Sequence, residues 1–455
     1  MSAIGAIAQR AHPPARAGSG IALGAALALL GAGMAVALYK FPLSLTQILV
    51  IGIGMLGLLA LTVANYEAAV TLGFLVFGIV AMEPAPPDGV FAVVIMVAIV
   101  TGRFNLARVP MSVFSLLGAF VFLNILSAIE VIELQAAVRF MTITVYLAVF
   151  AVWFTSYLDS QERARAVVKA YLVPATFFAL IASAALFGAV PGGSSLLAYE
   201  GTRATALFED PNVFGPFLVP AALIVLQEIL DPRLLKARPS VKLLTFLVLT
   251  GGVLFSYSRA AWVNEVVGAV VLLLVLMMRR GGGRKTLAVL VLVVITTVGV
   301  AGVLALTGSL GFLEERAHVQ TYDTQRFGAQ RTGIELAEEY PVGVGPGQFE
   351  FRVPISAHST YIRTLAEQGL LGLVLIAALF LTTLVFAGHN AVRGRDTYGI
   401  GSAALLGAWV GLLVNSFVVD TLHWRHLWFV AALIWVGAMR RVSEIPVPQR
   451  GPAAL

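Results

Sequence analysis

The segment 357–372, AHSTYIRTLAEQGLLG, contains the strongest candidate for catalytic chemistry. His358 precedes a long apolar stretch, and Gly369 follows eleven residues later. On a continuous helix this spacing is three turns, so the two residues would lie on nearly the same face. Imidazole accepts a proton near neutral pH, and glycine admits a close neighbouring backbone. The spacing predicts a His at the rim of a packed helix pair, with a surface His and an incidental glycine as the alternative.

A second pattern is GTRATALFEDPN at 201–212. Arg203 and Leu207 are four residues apart and would share one face of a short helix. Asp210 and Pro211 together predict the start of the next helix, because Asp is a favoured N-cap and Pro a favoured first helical residue. Arg203 would then lie just outside an apolar span. The alternative is an interfacial Arg that contacts lipid phosphate.

A third pattern, FSYSRAAW at 255–262, puts Arg259 at a turn between two apolar segments. A lipid-facing Arg is again the alternative. Glu265 lies about 9 Å further along the second segment at 1.5 Å per residue. A carboxylate inside a membrane is a functional candidate, because its burial is costly. A Glu–Arg or Glu–Asn contact that fixes helix packing is the alternative for Glu265.

Further polar residues could contact a substrate, although each could also be a solvated loop or rim residue: Arg326, Arg331, His318, Asp420, His423, Arg425 and His426. Three of them, His423, Arg425 and His426, cluster together with Trp424 near the outer end of the last apolar segment. No phosphate-binding loop of the Walker type and no His-Glu-x-x-His zinc motif is found in the sequence. We therefore expect a reaction that needs neither ATP nor a metal ion.

The composition predicts the elements that position these residues. Of 455 residues, 59% are hydrophobic and 12% are charged, and the mean hydropathy is +0.91. A soluble domain carries about 25% charged residues, so we expect an all-α, polytopic membrane bundle. The absence of cysteine excludes disulfides and thiolate metal sites. About 14 spans (12–14) of roughly 20 residues are predicted, at 19–39, 45–64, 68–82, 89–102, 110–128, 137–157, 167–190, 213–230, 242–257, 260–278, 286–307, 368–388, 399–418 and 424–439.

The basic residues predict the orientation of the bundle. With the N-terminus inside, about two thirds of the 30 Lys and Arg residues fall on the inner side. Positively charged loops favour the cytoplasm, so both termini are expected there. The same bias explains the pI near 9.6 without nucleic acid as a partner.

The resulting organisation has seven parts. We expect cytoplasmic tails at both ends, two periplasmic segments and three groups of spans. The longer periplasmic segment is expected to be ordered, with short helices, one of them between Asp323 and Pro341. In chain order, the parts are the tail 1–18, the N-terminal bundle 19–190, the Arg-motif loop 191–212, the central spans 213–306, the large loop 307–367, the C-terminal spans 368–441 and the tail 442–455.

These motifs together resemble a known family. Arg203 with Leu207, and His358 with Gly369, resemble the two motifs of bacterial O-antigen ligases. GVGPGQF at 343–349, followed by the segment 357–372, resembles the signature of the wider O-antigen ligase/polymerase superfamily. The resemblance extends over about residues 200–390. It departs from the family in its 14 spans, where 12 are usual, in the Ser-Thr that follows the His, and in Glu265, which matches no family motif.

The resemblance implies a metal-independent membrane glycosyltransferase without a cofactor. Its donor would be a glycan on undecaprenyl pyrophosphate, at the periplasmic face of the bacterial inner membrane. The acceptor would be the lipid A-core sugar for a ligase, or another lipid-linked glycan for a polymerase of O-antigen or exopolysaccharide. A flippase and a chain-length regulator are candidate partners. A residue like His358 would activate the acceptor hydroxyl, residues like Arg203 and Arg259 would hold the pyrophosphate, and transfer is expected to invert the anomeric carbon.

A polysaccharide-lipid flippase or a secondary transporter is the main alternative, because 14 spans suit either class. Transporters tend to place their polar sites near the bilayer midplane, on interrupted helices. Here the polar residues gather at the outer rim and in one long loop. This distribution favours the enzyme.

Overall fold

The structure is a computed structural model that describes residues 44–82, 84–199, 201–280 and 321–440. Two of the expected spans, 19–39 and 286–307, lie outside these ranges. The two expected tails and His318 lie outside them as well.

The described structure is 74% helical with almost no strand, which confirms the all-α polytopic bundle. One short hairpin, β1 Leu197–Ala198 with β2 Arg203–Ala204, is antiparallel. The helices in chain order are α1 Leu45–Ala64, α2 Tyr66–Leu75, α3 Pro86–Val100, α4 Met111–Leu126, α5 Leu134–Tyr157, α6 Gln161–Leu186, α7 Pro211–Leu230, α8 Pro239–Phe255, α9 Arg259–Arg280, α10 Thr321–Glu339, α11 Phe349–Arg352, α12 Thr360–Val392, α13 Ser402–Asn415 and α14 Arg425–Met439.

Each predicted span within the described ranges overlaps one of these helices. Among the described residues, six helices are long and apolar enough to cross a membrane: α4, α5, α6, α7, α9 and α12. Six further apolar helices in the described ranges have 10–17 residues. The helix α10 occupies the large loop where one was expected, and it ends at Glu339, two residues before Pro341.

The chain divides into two compact units. The smaller contains residues 44–69 and 92–104 among those described, and in it the guanidinium of Arg103 lies 4.8 Å from the ring centroid of Tyr66. The larger contains residues 70–91 and everything described from Asn105 onward. All candidate site residues that the structure describes lie in the larger unit.

An aromatic cluster forms the core of the larger unit. The ring of Phe74 lies between 5.1 and 5.3 Å, centroid to centroid, from the rings of Phe91, Phe154 and Phe429. All four side chains are completely buried. Tilted and edge-to-face pairs of this kind add stability beyond the area that they bury. The cluster ties helices from both ends of the sequence into one bundle.

Two helices, α9 and α13, approach each other through small residues. A Cβ atom on Gly407 would collide with the backbone oxygen of Gly268. One turn further along α13, a Cβ on Gly411 would collide with the side chain of Asn264. Small residues at such interfaces let helix backbones pack closely in a membrane. The packing fixes the position of α9, which begins with Arg259.

Basic side chains collect at the end of the larger unit where α7, α9 and α12 finish. Lys242 Nζ lies 2.9 Å from the carboxylate of Glu228, and both side chains are buried. Arg233 forms an ion pair with Asp396, and Arg279 donates to Ser402 over 2.8 Å. The candidate site lies at the opposite end, where these helices begin.

Candidate functional site

His358 lies immediately before α12 in an unusual backbone conformation. Its φ angle is 45°, in the left-handed region that non-glycine residues rarely adopt. Its side chain is half-buried. Ser359 is the N-cap of α12, and its hydroxyl accepts a hydrogen bond from the backbone N–H of Ile362 over 3.4 Å. The positive φ of a His suggests functional constraint.

The expected helical spacing between His358 and Gly369 is wrong. Gly369 has φ 66° and ψ −173°, so it interrupts α12 instead of extending the helical face of His358. The reason lies in Pro341, because a Cβ on Gly369 would collide with the carbonyl oxygen of Pro341. A neighbouring backbone therefore does come close at this glycine, but it belongs to a loop and not to a second helix.

Hydroxyl groups fasten the His segment to the loop between α13 and α14. The backbone N–H of Thr360 donates to the carbonyl of Ser416 over 3.0 Å, and the N–H of Thr421 donates to Thr360 Oγ1 over 2.7 Å. The hydroxyls of Ser416 and Thr421 are 2.6 Å apart. All three side chains are buried. The Ser-Thr pair that follows His358 thus positions the imidazole.

Arg326, on α10, contacts His358 directly. Its Nη2 lies 3.2 Å from His358 Nδ1. Burial and the charge of Arg326 lower the pKa of His358, while the nearby carboxylates Asp210 and Asp420 act in the opposite direction. The imidazole is therefore neutral at neutral pH.

Arg203 is buried, with only 4% of its surface exposed. Its Nε donates to the carbonyl of Ser256 over 2.8 Å, and its Nη2 donates to Asn212 Oδ1 over 3.0 Å. The guanidinium carbon also lies 5.0 Å from the ring centroid of Tyr199. Arg203 thus joins the loop before α7 to the turn that precedes α9.

The expected short helix through Arg203 and Leu207 is wrong. Arg203 lies in β2, opposite Ala198, and Leu207 lies in the turn that follows, where its carbonyl accepts a hydrogen bond from the N–H of Val80 over 2.9 Å. Short isolated helices are marginal, and Gly and Thr are weak helix formers. The tertiary contacts of Arg203 therefore decide the local conformation.

The Asp210–Pro211 helix start is confirmed and connects the two motifs. Asp210 caps α7 by accepting the N–H of Asn212 over 2.8 Å, and Pro211 is the first helical residue. The same carboxylate acts electrostatically on His358, while Asn212 accepts from Arg203. Arg259 is half-buried at the start of α9, three residues after Ser256. Arg203, Arg259 and His358 therefore lie at the end of the unit where α7, α9 and α12 begin, and Arg326 contacts His358 there.

The other basic and acidic candidates already have structural partners. Arg331 has 85% of its side chain exposed and lies 3.3 Å from Glu335 on the same helix. Arg425 forms a two-point ion pair with Asp88, with Nε 2.6 Å from one carboxylate oxygen. Such pairing neutralises Arg425 within the bundle. These contacts give Arg331 and Arg425 no direct link to His358.

Two further candidates hold helices together. Glu265 Oε1 accepts a hydrogen bond from Thr250 Oγ1 over 2.6 Å, which joins α9 to α8. The partner is a Thr, where Arg or Asn was considered. His423 Nε2 lies 3.0 Å from Thr144 Oγ1, and its ring is 4.4 Å from that of Phe140. Burial lowers the pKa of His423 to about 4, so this imidazole is neutral.

Sequence reasoning missed two buried side chains that hold the glycine-rich loop 343–349. Glu367 accepts the backbone N–H groups of Gly347 and Phe349 over 2.9 and 3.2 Å. Gln348 Oε1 accepts the N–H groups of Ile132 and Glu133 over 2.9 and 2.8 Å. Both side chains are fully buried. The signal available in the sequence was a Glu and a Gln among apolar neighbours, which indicates buried polar side chains with backbone partners.

Arg363 was also missed. It is mostly buried and forms ion pairs with Glu350 and with Asp420, whose Oδ2 lies 3.1 Å from Arg363 Nε. Asp420 in turn influences His358, so Arg363 belongs to the surroundings of the site. Within the described ranges, no group of three or more His, Asp or Glu side chains is arranged to hold a metal ion. The metal-independent reaction stays a prediction.

Comparison with known families supplies the decisive observation. Residues 244–377 match the family model of the O-antigen ligases. This stretch is similar to the O-antigen ligase family. The match confirms the predicted superfamily resemblance. Comparison with curated proteins finds no match.

The matched residues include Arg259, Arg326 and His358, and the match ends within α12. Arg203 and Leu207 precede it, and His423 and Arg425 follow it. At family level the match supports a multi-pass membrane enzyme of the glycosyltransferase type, a ligase or polymerase that uses lipid-linked glycans. Arg326 and His358, which contact each other directly, both belong to the matched residues.

Proposed function

We propose that this protein transfers a glycan from undecaprenyl pyrophosphate to a sugar hydroxyl at the periplasmic face of the bacterial inner membrane. The observation that carries the proposal is the half-buried, neutral His358 beside Arg326. Arg203 and Arg259 border the same loops. The family match to the O-antigen ligases supports the reaction class.

His358 is proposed as the general base. Its imidazole takes the proton of the acceptor hydroxyl as the hydroxyl oxygen forms a bond to the anomeric carbon of the donor glycan. The bond from that carbon to the phosphate oxygen breaks at the same time, and its electron pair leaves with undecaprenyl pyrophosphate. Attack opposite to the leaving group inverts the anomeric carbon. General-base assistance typically contributes about 100- to 10,000-fold.

The Arg residues are proposed to bind the leaving group. A guanidinium keeps its charge at all relevant pH values and forms paired hydrogen bonds to phosphate. Negative charge on the diphosphate grows as the sugar–phosphate bond breaks. The guanidinium groups of Arg203 and Arg259 lie at the edge of an apolar bundle. Because they are already in place, they would stabilise that charge without rearrangement of the site during the reaction. No ATP and no cofactor are needed, since the donor phosphate is already the leaving group.

The distribution of charge supports the periplasmic orientation. The end of the larger unit opposite His358 carries Lys242, Arg233, Arg279 and Arg440 in ion pairs and hydrogen bonds. Lys and Arg favour the cytoplasmic side. His358 would then face the periplasm, and both termini would lie in the cytoplasm.

Two acceptors agree with this chemistry. The lipid A-core sugar would make the protein an O-antigen ligase, and a second lipid-linked glycan would make it a polymerase of O-antigen or exopolysaccharide. Each presents a hydroxyl to His358. A flippase that delivers the donor is a proposed partner in both cases, and a chain-length regulator in the second.

The test uses the full chain, purified and reconstituted in lipid, with undecaprenyl-pyrophosphate glycan and each acceptor in turn. We expect a glycosylated acceptor together with free undecaprenyl pyrophosphate. The variant His358→Ala should abolish both products. The matched control is His389→Ala, because His389 lies exposed in the last turn of the same helix. Movement of the donor across the bilayer without product would instead identify a flippase.

A further inference from the structure

The contact between Arg326 and His358 fixes the state of the imidazole. A guanidinium only donates hydrogen bonds and cannot lose its proton. Since Arg326 Nη2 lies 3.2 Å from His358 Nδ1, Nδ1 must be the acceptor, and the ring proton must be on Nε2. A neutral imidazole has one free lone pair in the ring plane. Arg326 occupies that lone pair in this structure.

A base whose lone pair is occupied cannot take a proton. If the acceptor hydroxyl approaches Nδ1, Arg326 is in its way. If the hydroxyl approaches Nε2, that atom already carries a proton and can only donate. Arg326 must therefore leave His358 before His358 can act as a base, whichever nitrogen faces the acceptor.

We propose that Arg326 is a donor-operated gate on His358. When the donor binds, the guanidinium turns from the imidazole to the diphosphate, and the lone pair of Nδ1 becomes free. The gate rests on the proposed function, since it assigns a role to the diphosphate of the same donor. It would keep the base inactive until the leaving group is in place.

The relative strength of the two contacts favours the exchange. In the resting structure Arg326 donates to an uncharged ring nitrogen. Charge-assisted hydrogen bonds to phosphate are roughly twice as strong as bonds between neutral groups, and Arg can form two in parallel. For the N–H group that contacts His358, the diphosphate is therefore the stronger acceptor.

The exchange requires movement of one side chain and not of the helix. On α10, Ala329 is buried in a small apolar core with Phe349 and Ala357. Gly333 packs against Ile362 so closely that a Cβ would lie 2.6 Å from its Cγ2 atom. These contacts hold α10 against α12. Arg326, one turn before Ala329, is half-buried and sits on a long flexible stem.

The test measures the free lone pair of His358 directly, without transfer. Diethyl pyrocarbonate acylates an unprotonated imidazole nitrogen, and mass spectrometry of the peptide that contains His358 gives the rate at that residue. The probe is inorganic pyrophosphate, added to the reconstituted full chain at mildly alkaline pH. Pyrophosphate should accelerate acylation of His358 by about tenfold, the factor expected when one hydrogen bond from a charged donor is released.

Three variants separate the gate from a structural role. Arg326→Ala should react rapidly without pyrophosphate and show no further acceleration. Arg326→Lys keeps a cationic donor near Nδ1, so its slow reaction and its acceleration should be partly retained. Arg331→Ala, five residues along the same helix and exposed, should behave like the unaltered protein.

Pyrophosphate that slows acylation, or leaves it unchanged, in the unaltered protein would overturn the gate. A slow reaction in Arg326→Ala would do the same. The failure of the gate is distinct from the failure of the proposed function. If His358→Ala still transfers glycan, the proposed function is wrong, whereas an inactive His358→Ala protein with no effect of pyrophosphate on acylation removes the gate alone.

Discussion

Glu367 and Gly347 are joined by a buried hydrogen bond of 2.9 Å between the Glu367 carboxylate and the Gly347 backbone N–H. The same carboxylate accepts the N–H of Phe349 over 3.2 Å. The glycine-rich loop 343–349 therefore docks on the first segment of α12, the helical segment that begins two residues after His358. The loop 343–349 and the first segment of α12 are thus held together by the Glu367 carboxylate.

The first prediction concerns the buried hydrogen bonds that Glu367 accepts from the loop. In Glu367→Gln, one acceptor oxygen becomes an amide donor that faces backbone N–H groups. A buried unsatisfied polar group costs about 1–3 kcal/mol, so the unfolding transition of the purified protein should move to lower temperature. The control is Glu335→Gln, because the Glu335 side chain is 59% exposed. Equal stability of the two variants would contradict the role assigned to Glu367.

The second prediction is the pH dependence of transfer. The base acts in its neutral form, so activity should fall as pH decreases through the pKa of His358. Burial and Arg326 lower that pKa, while Asp210 and Asp420 raise it, and the net shift is downward from the usual value of about 6.5. The acid limb of the pH–rate profile should therefore lie below pH ~6.5.

Two variants should move this limb in opposite directions. Asp420→Asn removes a carboxylate that raises the pKa of His358, so the limb should shift to lower pH. Arg326→Ala removes a cation that lowers the pKa, so the limb should shift to higher pH. Shifts in the same direction for both variants would show that His358 is not the titrating group.

The third prediction concerns Arg203. A lysine ammonium cannot replace the planar guanidinium of Arg203, whose Nε donates to Ser256 while its Nη2 donates to Asn212. Lysine also cannot donate two parallel hydrogen bonds to the diphosphate. Because one hydrogen bond to a charged group contributes about 1.5–3 kcal/mol, Arg203→Lys should lose at least about tenfold in kcat/KM. Arg331→Lys is the matched control, because Arg331 contacts only its neighbour Glu335 among the contacts described here. Wild-type kcat/KM in Arg203→Lys would argue against a role for the buried guanidinium.

The fourth prediction concerns Gly369. Its positive φ angle and the proximity of the Pro341 carbonyl leave no room for a Cβ. Gly369→Ala should therefore destabilise the protein by more than about 1 kcal/mol. In Gly388→Ala, further along α12, the new Cβ meets nothing within 4 Å. That control should be neutral or gain up to about 1 kcal/mol in thermal stability.

The sequence predicts the bundle well because the membrane imposes a simple rule. A spanning helix requires an apolar stretch of sufficient length, and such stretches are visible without any tertiary information. The start of α7 is equally local, since Asp210 and Pro211 cap it within three residues. The position of His358 before α12 follows from the same kind of local pattern.

Arg203 and Gly369 could not be placed from sequence, because distant contacts decide their conformations. The carbonyl that binds Arg203 Nε belongs to Ser256, 53 residues later, and Gly369 is shaped by the backbone of Pro341. Helical periodicity separates Arg326 and Arg331 by about 140° around α10. It does not say which of the two faces His358, and the structure assigns that face to Arg326.

The interruption of α12 at Gly369 determines how far the hydrocarbon layer of the bilayer can extend along this helix. The segment 370–392 rises about 34 Å at 1.5 Å per residue, close to the thickness of about 30 Å of a bilayer's hydrocarbon layer. Lipid tails would thus reach only as far as the break, and the first two turns of α12 would stand among headgroups. A strongly hydrated oligosaccharide could then meet the imidazole without ever entering oil, while its polyprenyl chain remained dissolved there.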